Sequence, residues 1–241
     1  MDSPPQFKIR RLQRDELPHD TIALTRFLIG KVVVHDLDCG RLSGRIVEAE
    51  AYPPGDPAGH HFRGPTPRIR SMYLHPGHAY VYFNYGAHFM LNVASEPEGT
   101  AGGILIRALE PLEGVSFMQR HRGGTTDMKP VELTRGPGRL ASALQIDRRH
   151  DGIDLTGAGS SLWLGELRES PDANNPTIKT KRAVSKTVRI GITRAAEKLL
   201  RFYEAGNPFV SGPKRLLSSS KKTTPSARPR KRRTKRNKSP R

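Results

Sequence analysis

The last acidic residue of the chain is Glu204, whereas thirteen lysines and arginines lie between Lys214 and Arg241. This break in charge separates a stretch that can build a core from one that cannot. From about Gly212 the only large apolar residues are Leu216 and Leu217, set among Ser, Lys, Arg and Pro, so residues 212–241 are expected to form a disordered Lys/Arg-rich tail. Ahead of the tail, 28 basic residues face 23 acidic ones, so most of the formal charge of +18 belongs to it. Apolar residues make up 35% of the 241, and the 23 glycines bring the total towards the globular range of roughly 45–50%. One domain of ordinary size fits. The positive field favours a polyanion, either nucleic acid or an anionic membrane surface.

Several classes of chemistry drop out early. Cys39 is the only cysteine, which excludes an intramolecular disulfide and any zinc site built on two thiolates, and suits a reducing compartment. The opening MDSPPQFKIRRLQRDELP places charges and prolines where a secretory signal needs an apolar stretch, and no long apolar run follows. A soluble, cytoplasmic protein with no membrane-spanning segment is expected. His60 and His61 are adjacent and cannot approach one metal as an i,i+4 helical pair does, so neither a metal nor a cofactor is expected. The chain contains no G-x-S-x-G elbow, Walker A motif or strand-linked dinucleotide fingerprint.

Residues 1–19 look like an extended lead-in. Asp20 or Thr21 then caps a helix through Ile22, Leu24, Phe27 and Leu28, with Gly30 ending it. Lys31–Asp38 reads as a strand, and Arg45–Tyr52 as another by strict alternation. There Val47, Ala49 and Ala51 share one face, and Ile46, Glu48, Glu50 and Tyr52 the other. Residues 53–70, rich in Pro, Gly, His and Arg, are expected to be an irregular surface loop. Ala79–Phe83 and Phe89–Ala94 flank a hairpin turn at Asn84–Tyr85–Gly86, and Gly103–Leu109 is a further apolar strand. Pro111–His121 and Pro137–Leu144 read as helices, and Leu162–Leu164 and Thr187–Ile192 as short strands. Strands outnumber helices without βαβ alternation, which points to an α+β domain over residues 20–211.

Two clusters stand out chemically. Glu50 and Tyr52, two apart on a strand, project from one face and either line a cavity or decorate a solvated sheet. In HAYVYFNYG, Tyr80 and Tyr82 share a face while Tyr85 falls at the hairpin tip. Core packing accounts for Tyr80, but less readily for an aromatic at a tip, where a wedge role fits.

The segments RIVEAEAY, DPAGHHFRGPTPR, HAYVYFNYGAHFMLNV, ILIRALEPLEG, GPGRL and RFYEAGNPFVS follow in this order. Together they resemble the alkyladenine (3-methyladenine) DNA glycosylase family over about residues 20–211. The resemblance implies a single α+β domain with an antiparallel β core and flanking helices. It also implies a monofunctional enzyme that extrudes alkylated or deaminated purines from double-stranded DNA and hydrolyses the N-glycosidic bond, leaving an abasic site.

By that resemblance Glu50 is the general base that activates water, and Arg107 in ILIRALEP acts near the reacting nucleotide and its water. Tyr52, Tyr82 and a loop histidine hold the extruded base. Spacing from Tyr52 favours His61 and the flanking DPA and FRG residues favour His60, which is the assignment adopted. Asn92 corresponds to an amide at the pocket floor that crowds a purine 2-amino group. Tyr85 corresponds to a side chain that fills the vacated stack. Arg68, Arg70 and Arg139 are candidate backbone contacts, and monomeric action is expected. Read structurally instead, Arg107 pairs with Glu110 or Glu113. The competing function is a basic nucleic-acid-binding protein that kept the scaffold and lost catalysis. The tail lies outside the resemblance and either raises DNA affinity in a salt-dependent way, binds RNA, or is a tolerated disordered extension.

Overall fold

In the computed structural model, which describes residues 7–38, 40–84, 86–123, 128–168 and 183–217, the sheet begins within the lead-in. Strand β1 (Ile9–Arg11) precedes helix α1 (Thr21–Leu28), β2 (Val32–Leu37) and the long β3 (Gly40–Tyr52). Strands β4 (Ala79–Asn84), β5 (His88–Ala94) and β6 (Gly103–Glu113) follow, then helices α2 (Val115–His121), α3 (Pro130–Thr134) and α4 (Pro137–Ala143). Strands β7 (Leu162–Leu167), β8 (Val184–Thr187) and β9 (Arg201–Glu204) complete the described elements. All strand pairs are antiparallel, in the order β1-β7-β2-β3-β6-β5-β4, as the α+β reading requires.

Strand β3 organises this sheet. Its first half pairs with β2, from Leu37↔Gly40 to Val32↔Arg45, and β9 takes over the same edge at Glu48–Glu50. Along the other edge β3 pairs with β6, and the register shifts on either side of Glu48. Such bulges change which face the neighbouring side chains meet. Ile46 therefore joins Ala49 in the main core, whereas Val47 packs with Tyr203 and Val210, and the strict alternation drawn from the sequence breaks at Val47.

The main core lies between the sheet and its helices. Asp20 caps α1 by accepting from the Ala23 N–H at 2.7 Å, and Leu24 and Leu28 are fully buried in that core. Leu12 and Leu17 are buried beside them, so the lead-in contributes to the core. Helix α4 closes on β5 at Gly138, where a Cβ atom would come within 2.8 Å of His88, which explains the glycine of GPGRL.

Four other expectations change. Pro111 is a strand residue paired with Gly44, and the helix begins only at Val115. Gly114 separates the two with φ of 73°, a conformation other residues rarely adopt, and a Cβ there would strike Leu42. The strand expected at Thr187–Ile192 instead ends at Thr187, so Ile190–Ile192 become a strap beside β3. Residues 53–70 are irregular, with short 3-10 turns at His60–Arg63 and Pro67–Tyr73, yet Asp56, His61 and Ile69 are buried rather than at the surface. At the C-terminal end, Leu216 and Leu217 carbonyls accept from Thr187 Oγ1 and Tyr203 Oη, so residues 212–217 dock on the sheet. Residues 218–241, the body of the basic tail, and Cys39 lie outside the described residues.

A buried histidine is expected to make stability depend on pH. His35 on β2 has Nδ1 2.7 Å from the Leu144 carbonyl and Nε2 3.3 Å from Nε2 of His150. Burial pushes the His35 pKa below 6.5 and His150 adds to this, against the Leu144 hydrogen bond and the charges of Asp36 and Asp147. The folded protein thus takes up the proton less readily than the unfolded chain. The stability this contributes is complete above the unfolded value and is lost as pH falls below it. The urea midpoint is expected to drop between about pH 7.5 and about pH 5.5, and His35→Gln to flatten that slope. A slope untouched by the substitution would assign the effect to other groups.

Candidate active site

Glu50 is fully buried near the end of β3, between Leu105 of β6 and Arg201 of β9. A carboxylate there needs partners, because desolvation of an unpaired charge is costly. Oε1 accepts from the Ile190 N–H at 2.8 Å and lies 3.1 Å from Arg107 Nη1, while Oε2 accepts from Tyr52 Oη at 2.9 Å. The solvated-face reading of Glu50 is therefore overturned.

Glu48, two residues earlier on the same face, secures this arrangement. It accepts from Nε of Arg107 at 3.0 Å, from Nε of Arg201 at 2.6 Å, and from both N–H and Oγ of Ser211. Arg107 thus bridges two carboxylates, with Nε fixed by Glu48 and Nη1 aimed at Glu50. Burial works against the guanidinium charge, but Glu50 and Glu48 outweigh it and hold the Arg107 pKa above its ordinary value. The pairing to Glu110 or Glu113 does not occur: Glu110 binds Arg45, and Glu113 accepts from Ser43.

Tyr52, Arg107 and Ile190, the three partners of Glu50, all line a cavity of about 250 Å³. Glu50 itself sits directly behind that lining rather than in it. The remaining wall is mostly aromatic and apolar, with His60, Tyr80, Tyr82, Met90, Asn92 and Leu105 among its members. Tyr80 and Tyr82 stack at 5.4 Å, and the His60 ring meets Tyr82 edge-on at 4.6 Å. Burial, followed by the charge and hydrogen bond of Glu50, pushes the Tyr52 pKa well up, so its hydroxyl keeps its proton and donates.

His60 Nδ1 lies 2.8 Å from Tyr80 Oη. The residue keeps solvent contact, but its ring sits against the tyrosines; burial, then the charges of Arg68 and His61, lower its pKa and favour the neutral imidazole. His61 turns away, with Nε2 2.9 Å from the Pro53 carbonyl. Asn92 is buried, and its Nδ2 donates to the carbonyls of Tyr80 and Met90. Among the described residues its Oδ1 has no protein partner.

Arg68, Arg70 and Arg139 are exposed and outside the cavity lining; Arg68 donates to the Phe83 carbonyl at 3.1 Å. Tyr85 lies outside the described residues, between Asn84, which lines the cavity, and Gly86. Sequence reasoning missed Glu48, the Ile190 N–H and Arg189, whose guanidinium carbon lies 4.6 Å from the centre of the Tyr52 ring. Glu48 carried a signal, since its place two residues before Glu50 put it on the same face. Arg189 and Ile190 carried none once they were read as strand.

This geometry can hold a flat ring system against aromatic side chains and bring it beside a carboxylate and a guanidinium. A family model described as methylpurine-DNA glycosylase matches residues 15–208. A relative from Mesorhizobium japonicum is 54% identical over 205 residues, covering 85% of this chain and 92% of its own. One from Paraburkholderia phytofirmans is 46% identical over 221 residues, with 91% and 97% covered. One from Chlorobaculum tepidum is 43% identical over 205 residues, with 84% and 91% covered. All three are named "Putative 3-methyladenine DNA glycosylase". Because the matched region takes in the long central strand, its two buried carboxylates and the whole aromatic cavity, the chain belongs to the methylpurine-DNA glycosylase family and is a DNA glycosylase, a hydrolase of base excision repair.

Proposed function

We propose that this glycosylase extrudes alkylated or deaminated purines, such as 3-methyladenine, 7-methylguanine and hypoxanthine, from double-stranded DNA. It then hydrolyses the N-glycosidic bond with a water activated by Glu50. The observation that carries this reading is the Glu50 carboxylate bonded to three groups of the aromatic cavity wall. Among the described residues Oε2 accepts only from Tyr52, and a carboxylate oxygen offers two acceptor directions, so one remains for water. In this reading Glu50 takes the water's proton as oxygen attacks the anomeric carbon, and its charge stabilises the oxocarbenium-like sugar. Arg107 holds Glu50 and the water in place. The bonding pair departs with the base, which leaves neutral when alkylated and as an anion that solvent protonates when it is hypoxanthine, and an abasic site is left without strand cleavage.

Selectivity follows from the same wall. Alkylation at N3 or N7 makes a purine cationic, and a cation against aromatic faces gains roughly 0.5–2 kcal/mol. A neutral His60 suits this, since an imidazolium would repel the base. Asn92 limits the depth available to a 2-amino group. Tyr85 is the wedge that fills the vacated stack, and Arg68, Arg70 and Arg139 hold the backbone. DNA in the cytoplasm, as the nucleoid, is the partner, and the enzyme acts as a monomer without metal or cofactor.

The test is single-turnover release of base from duplexes carrying 3-methyladenine, 7-methylguanine, hypoxanthine or no lesion, with strand integrity read before and after alkali. Release from the damaged duplexes, with breaks appearing only after alkali, is expected. No release from any of them, or breaks without alkali, would defeat the reading.

A further inference from the structure

Against the Tyr52 ring, and outside the cavity lining, lies a charge pair that the chemistry above does not use. Arg189 places its guanidinium carbon 4.6 Å from the centre of the Tyr52 ring, yet Arg189 is absent from the cavity lining. The ring therefore carries over one face a cation that does not itself line the cavity. Asp56 grips that guanidinium through both oxygens, at 2.6 and 3.1 Å, and both side chains are fully buried. Arg189 also donates to the Ala51 carbonyl at 3.0 Å, next to Tyr52, and it immediately precedes Ile190, whose N–H binds Glu50. Asp56 accepts from the Ala58 N–H and stands in the loop that carries His60.

The pair therefore ties together the two segments that flank the ring, and it has an electrostatic consequence. A positive base in the cavity would meet a second positive charge held against the Tyr52 ring. With Asp56 ionised beside it, the guanidinium acts at that distance mainly as half of a dipole. We propose that the buried Asp56–Arg189 pair is a specificity-determining support of the cavity, whose charge balance sets how well Tyr52 accepts a cationic base relative to a neutral one. The proposal rests on the reading that the cavity takes damaged purines, and it adds residues that touch neither the base nor the water.

Two variants of the full-length protein test it, on duplexes carrying 7-methylguanine as the cationic lesion or hypoxanthine as the neutral one. Dissociation constants and single-turnover rates are measured for both. Asp56→Asn keeps the shape and the Ala58 contact but leaves Arg189 uncompensated. The preference for the cationic over the neutral duplex is expected to fall about tenfold, the order set by one charge at roughly 10 Å in an effective dielectric of about 20. Asp56→Asn/Arg189→Gln carries no lone buried charge and so stays foldable where the single variant does not. It also removes the nearer positive end of the dipole, so the preference is expected to rise about threefold.

A purely structural role would weaken both lesions alike and leave the preference unchanged. That result in either folded variant overturns the proposal. Failure of the wild type to release base from either duplex would instead strike at the reading of the cavity, which separates the two outcomes.

Discussion

Replacing Glu50 by glutamine is expected to slow base release by about 10²–10⁴-fold, the usual contribution of a positioned general base, while leaving DNA binding close to wild type. The variant should fold, because the amide can satisfy each contact the carboxylate makes. Its oxygen can accept from the Ile190 N–H and from Arg107, and its NH₂ can donate to the Tyr52 hydroxyl, which accepts as readily as it donates. Arg107 also keeps Glu48 as its counter-charge. What disappears is the capacity to take a proton from water and to face the developing sugar cation with a negative charge. Single-turnover excision of 7-methylguanine with enzyme in excess reads this directly. A rate within a few-fold of wild type would remove Glu50 from the chemistry.

Glu48→Ala is expected to cost about 3–5 kcal/mol of unfolding free energy, a large share of the roughly 5–15 kcal/mol that a domain possesses. Glu48 is fully buried and answers two guanidinium groups and the Ser211 N–H and hydroxyl. Truncation leaves Arg201, itself fully buried, without its carboxylate, and Ser211 with an unanswered backbone donor. Arg107 keeps Glu50 but loses the contact that fixes its Nε. Urea unfolding at neutral pH measures the loss, and Glu48→Gln, which retains an acceptor oxygen, should lose less. A Glu48→Ala loss below about 1 kcal/mol would show that water or local rearrangement replaces the carboxylate.

Much of the candidate site was legible because it hangs on local patterns. The two-residue spacing of Glu50 and Tyr52 survives in β3, since its bulges fall before Glu50, and Glu48 still reaches the same guanidinium as Glu50. The hairpin of β4 and β5 was readable from its turn and sets Tyr80 opposite Asn92. Alternation did not reveal the bulge at Val47, because that is a property of how β3 meets β6 and not of either strand alone. Thr187–Ile192 was misread for a related reason. Its apolar residues satisfy a strand pattern, but beyond Thr187 the chain makes no ladder, and the Ile190 N–H goes to a side chain instead.

The sequence by itself determined that this chain has a mixed α+β core, a charge excess that lies mostly at its end, and the motifs that carry Glu50, Tyr52, Tyr82, Asn92 and Arg107. Local periodicity and charge suffice for the first two, while the motifs took their meaning from resemblance to a family. Only the tertiary structure decided that Arg107 binds Glu48 and Glu50 rather than Glu110 or Glu113, that His60 and not His61 lines the cavity, and that Arg189 stands against the Tyr52 ring. Ion pairs between residues tens of positions apart depend on which strands become neighbours, and a histidine's direction depends on the turn that carries it. Both are fixed by packing, which no short window of sequence contains.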